Sequence, residues 1–508
     1  MIKANNNAEN SPKPTSEKGK FTLDVIWIGI AQIFGSLIFG VVTLPALTKN
    51  YSPEIFGIWS QAYVTVALLT PVFCMELDMA IVRFLAGEKD KTRARHSLGA
   101  MLTSIIVFAA IAFTIVVIFS SQLSMILFAS QEYTLFVILT FLWVIFNALF
   151  IFFSAFQRAR NRMRLLSIRT VMINAIIMVL VIGLASQKVH LEWIFGSVVA
   201  AYAFMSLVFF IMIVMEVGWP TPNLTNLKSY LTFSLPQIPG VILLWLIAFS
   251  DRYFITHFLG LSQAGIYSSS HQIASLTRLF YTPLTFVLYP TLSRLWDEKR
   301  FSEVRGYLEQ STRVLFTLGI PATVGIALLS QPLLNLLTTS EFLAGSEMVF
   351  LISMGALFLG IHQINGHIIL LEKRTKILPL IVGAASITSV ILNIILVPRM
   401  GIMGSGISNI ISYFILSTIV TIWVAKAIGY NFDFKYLAKV VGATIPMAAC
   451  LYFIDVVSVW EIILSIILGG VVYAGGLFLL KAFSDRDKRI IKGTLVGILA
   501  GYYKKNSD

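Results

Sequence analysis

Residues 251–282 read DRYFITHFLGLSQAGIYSSSHQIASLTRLFYT, a charged pair, a short turn and an apolar segment that carries a histidine and an arginine. Taken as a helix from Gly265, the segment places Tyr267, His271, Ser275, Arg278 and Thr282 at steps of 4, 4, 3 and 4. They then share one face, with Ile273, Leu276, Leu279 and Phe280 largely elsewhere. If this helix spans a bilayer, Arg278 lies about 18–20 Å along it at ~1.5 Å per residue, near the middle of a ~30 Å core. A cation there costs at least about 2.5 kcal/mol and faces a protein interior or a water-filled cavity.

Composition decides whether there is a bilayer to span. Of 508 residues, 57% are hydrophobic and 12% charged, against roughly 25% charged in soluble domains. Mean hydropathy is +0.84. This is the composition of a polytopic membrane protein. The formal charge of +13 does not point to nucleic acid, because Lys and Arg cluster in alternate short loops as the positive-inside rule requires. Cys74 and Cys450 both lie in apolar segments and form no disulfide framework.

Apolar runs of helix length recur near 23–47, 56–85, 98–119, 133–156, 167–185, 193–217, 231–257, 265–289, 313–334, 347–371, 377–397, 405–425, 437–457 and 461–480. They predict about fourteen spans. Basic loops follow spans 2 (Lys89, Lys91, Arg93, Arg95), 4 (Arg158, Arg160, Arg162, Arg164), 8 (Arg294, Lys299, Arg300, Arg305) and 10 (Lys373, Arg374, Lys376). Loops after odd spans hold only Lys49, Lys188 and Arg399. Both termini are therefore expected in the cytoplasm, in a multi-pass protein of the cell (inner) membrane. Residues 1–22 read as a disordered cytoplasmic tail. Residues 485–508 read either as an amphipathic helix on the inner leaflet or as a solvated tail.

SPEIFGIWSQ at 52–61 resembles LSQAGIYSSS at 261–270, sharing Gly-Ile-aromatic-Ser with Gly57 matching Gly265. Each segment opens the second helix of a candidate half. The expected architecture is all-α: a first bundle at 23–217, a second at 231–425, parallel pseudo-symmetric repeats around a central cavity, and two extra helices at 437–480. Substrate sites of such transporters lie at the repeat interface.

Three cations do not fall in a loop, tail or helix end: Arg83, Arg252 and Arg278. Glu76 and Arg83 are seven apart on span 2 and share a face, while Asp78 points elsewhere. They read as a cavity-lining acid and base, or as an interfacial pair with Arg83 snorkelling to headgroups. Pro71 is expected to kink this span. Asp251 and Arg252 are neighbours, about 100° apart on a helix, and so are expected not to pair well with each other. His271 and Arg278 read as cavity-lining, or as locked to an acid such as Asp251 or Glu76. In span 10, His362, Gln363, Asn365 and His367 read as polar interhelical packing. With no carboxylate or cysteine at ligand spacing, they do not read as a metal site. The single polar residues Gln32, Asn147, Asn174 and Asn393 read as interhelical hydrogen bonds. No Walker A loop, HExxH or GxSxG occurs in the sequence, so no enzyme chemistry is expected.

Three segments carry a family resemblance: LTKNYSPEIFGIWS, SDRYFITHFLGLSQAGIYSSSHQI and LNIILVPRMGIMGSGISNIIS. In order, they are similar to patterns of the polysaccharide-export branch of the multidrug/oligosaccharidyl-lipid/polysaccharide exporters, the Wzx-type O-antigen flippases. Ser405-Gly406 departs from the Ala-Ala that often follows the glycines of the third segment. The resemblance implies a flippase that moves polyprenyl-diphosphate-linked oligosaccharide to the outer face for surface polysaccharide such as lipopolysaccharide O-antigen, beside polymerase and ligase machinery. Arg278, Arg83 and Arg252 would meet the diphosphate, with Tyr267, Ser275 and Thr282 lining the cavity. Glu76, Asp78, Asp251 and His271 are candidates for coupling to H+ or Na+, and no cofactor is implied. A drug or cation antiporter of the multidrug branch and a lipid II flippase are the alternatives.

Overall fold

In the computed structural model, residue 35 and residues 39–160, 162–374 and 376–482 are described. The two tails and most of the first span lie outside the described residues. Twelve helices among the described residues are long and apolar enough to cross a membrane, and each coincides with an expected span. The chain is a multi-pass membrane protein. The other two expected spans are the first and the eighth, and the eighth is broken.

The first half runs α1 (Phe39–Thr48), α2 (Pro53–Cys74), α3 (Leu77–Leu85), α4 (Lys91–Ile118), α5 (Ser120–Phe128), α6 (Thr134–Ala159), α7 (Met163–Ser186) and α8 (Leu191–Val217). The second runs α9 (Leu227–Ser234), α10 (Ile238–Phe249), α11 (Asp251–Leu259), α12 (Leu261–Ala274), a 3-10 turn (Ser275–Phe280), α13 (Thr282–Asp297), α14 (Phe301–Leu328), α15 (Ser330–Leu337), α16 (Ser346–Leu371), α17 (Ile377–Met400) and α18 (Ile402–Ile428). Two further helices, α19 (Phe434–Tyr452) and α20 (Val459–Leu479), pack against each other and α14. Helix starts follow local chemistry. Ser52 accepts from the Ile55 N–H with Pro53 in the first turn, and Asp90 accepts from Thr92 (2.8 Å). Ser458 and Glu461 form a reciprocal capping box.

Contacts between loops sort the connections onto two ends. On one, Arg160 donates to the Glu88 carbonyl, Arg162 pairs with Glu216 (2.7 Å) and Lys439 donates to Lys481 O (2.9 Å). On the other, Tyr51 donates to Val189 O (2.5 Å), Tyr133 to Glu54 (2.8 Å) and Thr48 to Leu337 O (3.1 Å). The basic loops belong to the first set, hereafter the basic end.

Two hydrophobic cores build the halves. The first spans α2–α8 and continues into α12, α15 and the start of α16; the second spans α13–α20. The shared part of the first core lies at the end opposite the basic one. There α2 and α12 cross with the repeat glycines in contact: a Cβ on Gly57 would collide with the Leu261 carbonyl, and one on Gly265 with the Pro53 carbonyl. Only a residue without a Cβ allows that approach. Gly401 (φ 61°) supplies the tight turn between α17 and α18.

Candidate functional site

The two helices related by the repeat are both interrupted, where the sequence predicts a kink in one and no break in the other. α2 ends in a Schellman motif: Glu76 N–H donates to Pro71 O (3.1 Å) and Met75 N–H to Val72 O (3.0 Å). Met75 and Glu76 both take left-handed backbone (φ 52°). In the eighth span α12 gives way to the 3-10 turn and then to Tyr281 (φ −125°) before α13 restarts with Pro283 in its first turn. Proline has no N–H to donate to the preceding turn and its ring crowds the carbonyl four residues back, so no continuous α-helix runs through Pro283.

The break places Arg278. In a 3-10 turn residues three apart eclipse, so Ser275 and Arg278 stack along one edge. Arg278 is half-buried, and its buried Nε has no hydrogen-bond partner among the described residues. Nor does any described carboxylate form an ion pair with it. Its charge is within electrostatic reach of Tyr63, His271, Tyr281 and Tyr413. Tyr63, on α2, is 45% exposed although it sits between Trp143 (6.4 Å between ring centroids) and the charges of Arg278 and Arg252. Nothing in the sequence marks Tyr63 except the repeat itself, which aligns it with His271.

The other expected site residues separate from this centre. Asp251 and Arg252 do pair, against expectation: Arg252 Nη1 lies 2.9 Å from Asp251 Oδ1, which also accepts the Arg252 N–H at 2.8 Å. The side chain curls back over its own turn, and the 100° offset is bridged at the Oδ1. Tyr267 donates to Asp251 Oδ2 (2.6 Å), and the Arg252 guanidinium lies over the Phe249 and Tyr267 rings. Asp251 is 5% and Arg252 4% exposed, a compensated lock between α11 and α12. His271 is buried beside the Tyr267 ring (6.3 Å) rather than tied to Asp251. Ser275 donates to Gln272 O (2.6 Å), and Thr282 falls beyond the break, off the expected stripe.

Arg83 is exposed at the end of α3, over the Phe233 ring (4.5 Å). Asp78 is bound by Arg158 (2.7 Å). Glu76 is buried at the α2–α3 break and makes no cap bond. Asn147 donates to Thr70 (3.1 Å) and Asn393 to Ser408 (2.9 Å), the interhelical bonds expected of them. No group of three or more metal-ligating side chains occurs among the described residues.

A family model described as "Polysaccharide biosynthesis protein" matches residues 21–296, more than half of the chain. The chain belongs to the polysaccharide biosynthesis protein family. A second model, MatE, matches residues 236–398, in keeping with the wider multidrug/oligosaccharidyl-lipid/polysaccharide exporter superfamily. Among curated relatives, the chain is similar to the probable low-salt glycan biosynthesis flippase Agl15 of Haloferax volcanii (20% identity, 50% of this chain, 54% of the relative). It is also similar to the probable lipid II flippase MurJ of Haemophilus influenzae (24%, 52% and 56%) and to an uncharacterized membrane protein of Methanocaldococcus jannaschii (25%, 53% and 54%). The chain spans about half the length of the curated relatives it matches. Its fold is shared with solved transporter structures. A lipid II flippase MurJ structure in an inward closed conformation aligns with TM-score 0.74 at 16% identity, covering 90% of this chain and 98% of that one. An inward-facing multidrug MATE transporter aligns at 0.66 and 10% identity, covering 80% and 98%.

Proposed function

We propose that this protein is a flippase for polyprenyl-diphosphate-linked oligosaccharide, moving the sugar head from the cytoplasmic to the outer face for surface polysaccharide assembly. The observation that carries this reading is Arg278, a cation without a carboxylate partner among the described residues, held at a helix break within reach of the accessible Tyr63 ring of the other half. An intramembrane charge left unpaired by its own protein is expensive and marks a ligand path. A diphosphate supplies the missing anion, with Tyr63 and Tyr281 available to hydrogen-bond or stack on sugar. The positive-inside rule makes the basic end cytoplasmic. With α2 and α12 closed at the opposite end, the site faces the cytoplasm, and rocking of the halves would expose it outward.

Deleting the gene and quantifying lipid-linked oligosaccharide and surface polymer by mass spectrometry tests this. Cytoplasmic accumulation of the lipid-linked intermediate with loss of surface polymer is the expected outcome. Normal polymer with altered drug tolerance would favour a multidrug antiporter, and arrested cell-wall synthesis a lipid II flippase.

A further inference from the structure

We propose that the flank of the first half holds a site for one anionic phospholipid, with its phosphate on Arg95 and an acyl chain in an apolar cavity between α4, α6 and α8. The cavity has a volume of about 410 Å³. Gly99, Leu102, Thr103 and Ile106 line it from α4, at steps of 3, 1 and 3 that share one helix face. Phe153 of α6 is buried at its back, while Ile106 and Leu207 on the two rims are 52% and 54% exposed. The opening is therefore lateral, between α4 and α8. Its lining residues all precede α9, which sets it apart from the Arg278 centre.

The walls select hydrocarbon. Thr103 donates to Gly99 O (2.8 Å) and Ser206 to Phe146 O (3.0 Å), so the hydroxyl protons of the lining are spent on backbone carbonyls. Apart from Trp219, the other lining side chains are apolar. A bound water needs two or more polar partners, and these walls do not supply them. From Arg95 to Ile106, α4 advances about 16 Å at ~1.5 Å per residue, the depth of one leaflet of a ~30 Å core. One lipid fits that span head to tail, in the leaflet on the basic side.

The head end carries the charge. Arg95 lies one turn before Gly99 on the same face, and its side chain runs beside Gly218, next to Trp219. Its buried Nε has no hydrogen-bond partner, and no carboxylate pairs with it among the described residues. Glu216, the acid at the end of α8, already holds Arg160 (3.3 Å) and Arg162 (2.7 Å). Asp90 caps α4 and reaches Arg93 (3.9 Å). The acids nearby are spent, and the acceptor that Arg95 lacks is an anion from outside the chain. Guanidinium and phosphate form strong charge-assisted hydrogen bonds, and basic pockets between membrane helices seat acidic headgroups. Trp219 is 65% exposed and stands edge-on to Phe210 (5.4 Å). Such a ring belongs at the level where headgroups meet chains. A lipid seated here binds the folded form and so stabilises it.

The test uses the full chain, purified in detergent, stripped of lipid and melted during titration with phosphatidylglycerol or phosphatidylcholine. Phosphatidylglycerol should raise the melting temperature at a concentration about tenfold lower, the effect of one charged hydrogen bond. Arg95→Gln breaks no ion pair seen among the described residues and should erase that preference. Ala203→Phe, which fills the cavity from α8, should weaken both lipids. Equal responses to the two lipids, or a preference kept by Arg95→Gln, overturn the headgroup contact. An unchanged response in Ala203→Phe overturns the cavity. Native mass spectrometry of the same samples counts the lipid retained, so a variant that melts early without lipid is still read by its adducts. A polyprenyl phosphate that displaces phosphatidylglycerol at equal concentration would give the cavity to a prenyl tail and overturn the phospholipid assignment.

Discussion

Ser60 donates a 2.5 Å hydrogen bond to Ser268, 208 residues away. The same offset relates Gly57 to Gly265 and Pro53 to Leu261, and each glycine packs on the other half's carbonyl. The contact is thus reciprocal, repeat on repeat, and lies where a pseudo-twofold axis between the halves must pass. It also closes the end opposite the basic loops. Any state open at that end has to separate these residues.

A Ser60→Cys/Ser268→Cys pair should therefore form a disulfide under mild oxidation, since the two side chains already touch. Transport should stop on oxidation and return with reductant. Cross-linked protein that transports at the unmodified rate would show that this contact never opens.

Buried charges here fall into two classes that mutation separates. Asp251→Asn or Arg252→Ala leaves a buried partner uncompensated, at a cost of about 3–5 kcal/mol, and should sharply reduce folded protein in the membrane. Tyr267→Phe removes one donor to Asp251 and should cost about 1–3 kcal/mol. Arg278→Ala breaks no ion pair seen among the described residues and should leave the amount of protein unchanged. Thermal melting in detergent ranks the variants.

Met75 carries a left-handed backbone without being glycine, a conformation that costs roughly 1–2 kcal/mol for residues with a Cβ. Met75→Gly should raise the melting temperature, by about 1 kcal/mol of stability once the lost side-chain packing is offset. Met75→Val should lower it. Equal melting in both would mean the break is not held in this form.

At the start of α19, burial pushes the Asp433 carboxyl up, but the Tyr436 N–H (2.9 Å) and Arg313 (2.7 Å) outweigh it and hold it below its ordinary value. A depressed carboxylate stabilises the fold above its unfolded pKa and loses that contribution as pH falls through the folded one. Amide exchange across 430–436, corrected for its intrinsic rate, should be slow at neutral pH and quicken below about pH 4. Asp433→Asn should show faster exchange already at neutral pH; an unchanged rate there would remove the carboxylate from the account.

The sequence made the membrane class, the spans and the repeat legible, because apolar length and loop charge are local signals. Gly57 and Gly265 pointed to each other through four shared residues, and the contact between them follows. What stayed hidden depended on backbone detail and on third partners. Nothing periodic marks the left-handed pair at Met75 and Glu76. Pro283 held the sign of the break after Arg278, yet the apolar run through it reads as one helix. Asp251 and Arg252 look unpairable on helical geometry because the spacing argument follows Cβ directions and not a long guanidinium curling back. Arg158 looked like a loop cation because its partner Asp78 lies on another helix.

The central claim is that Arg278 meets the anionic head of a lipid-linked substrate. Its most direct test is the amount of lipid-linked oligosaccharide reaching the outer leaflet in cells whose only copy carries Arg278→Ala, normalised to protein in the membrane. The account predicts normal protein, a large loss of outer-leaflet oligosaccharide, and partial recovery with Arg278→Lys, which restores charge without the bidentate fork. Unchanged outer-leaflet oligosaccharide in Arg278→Ala would contradict it.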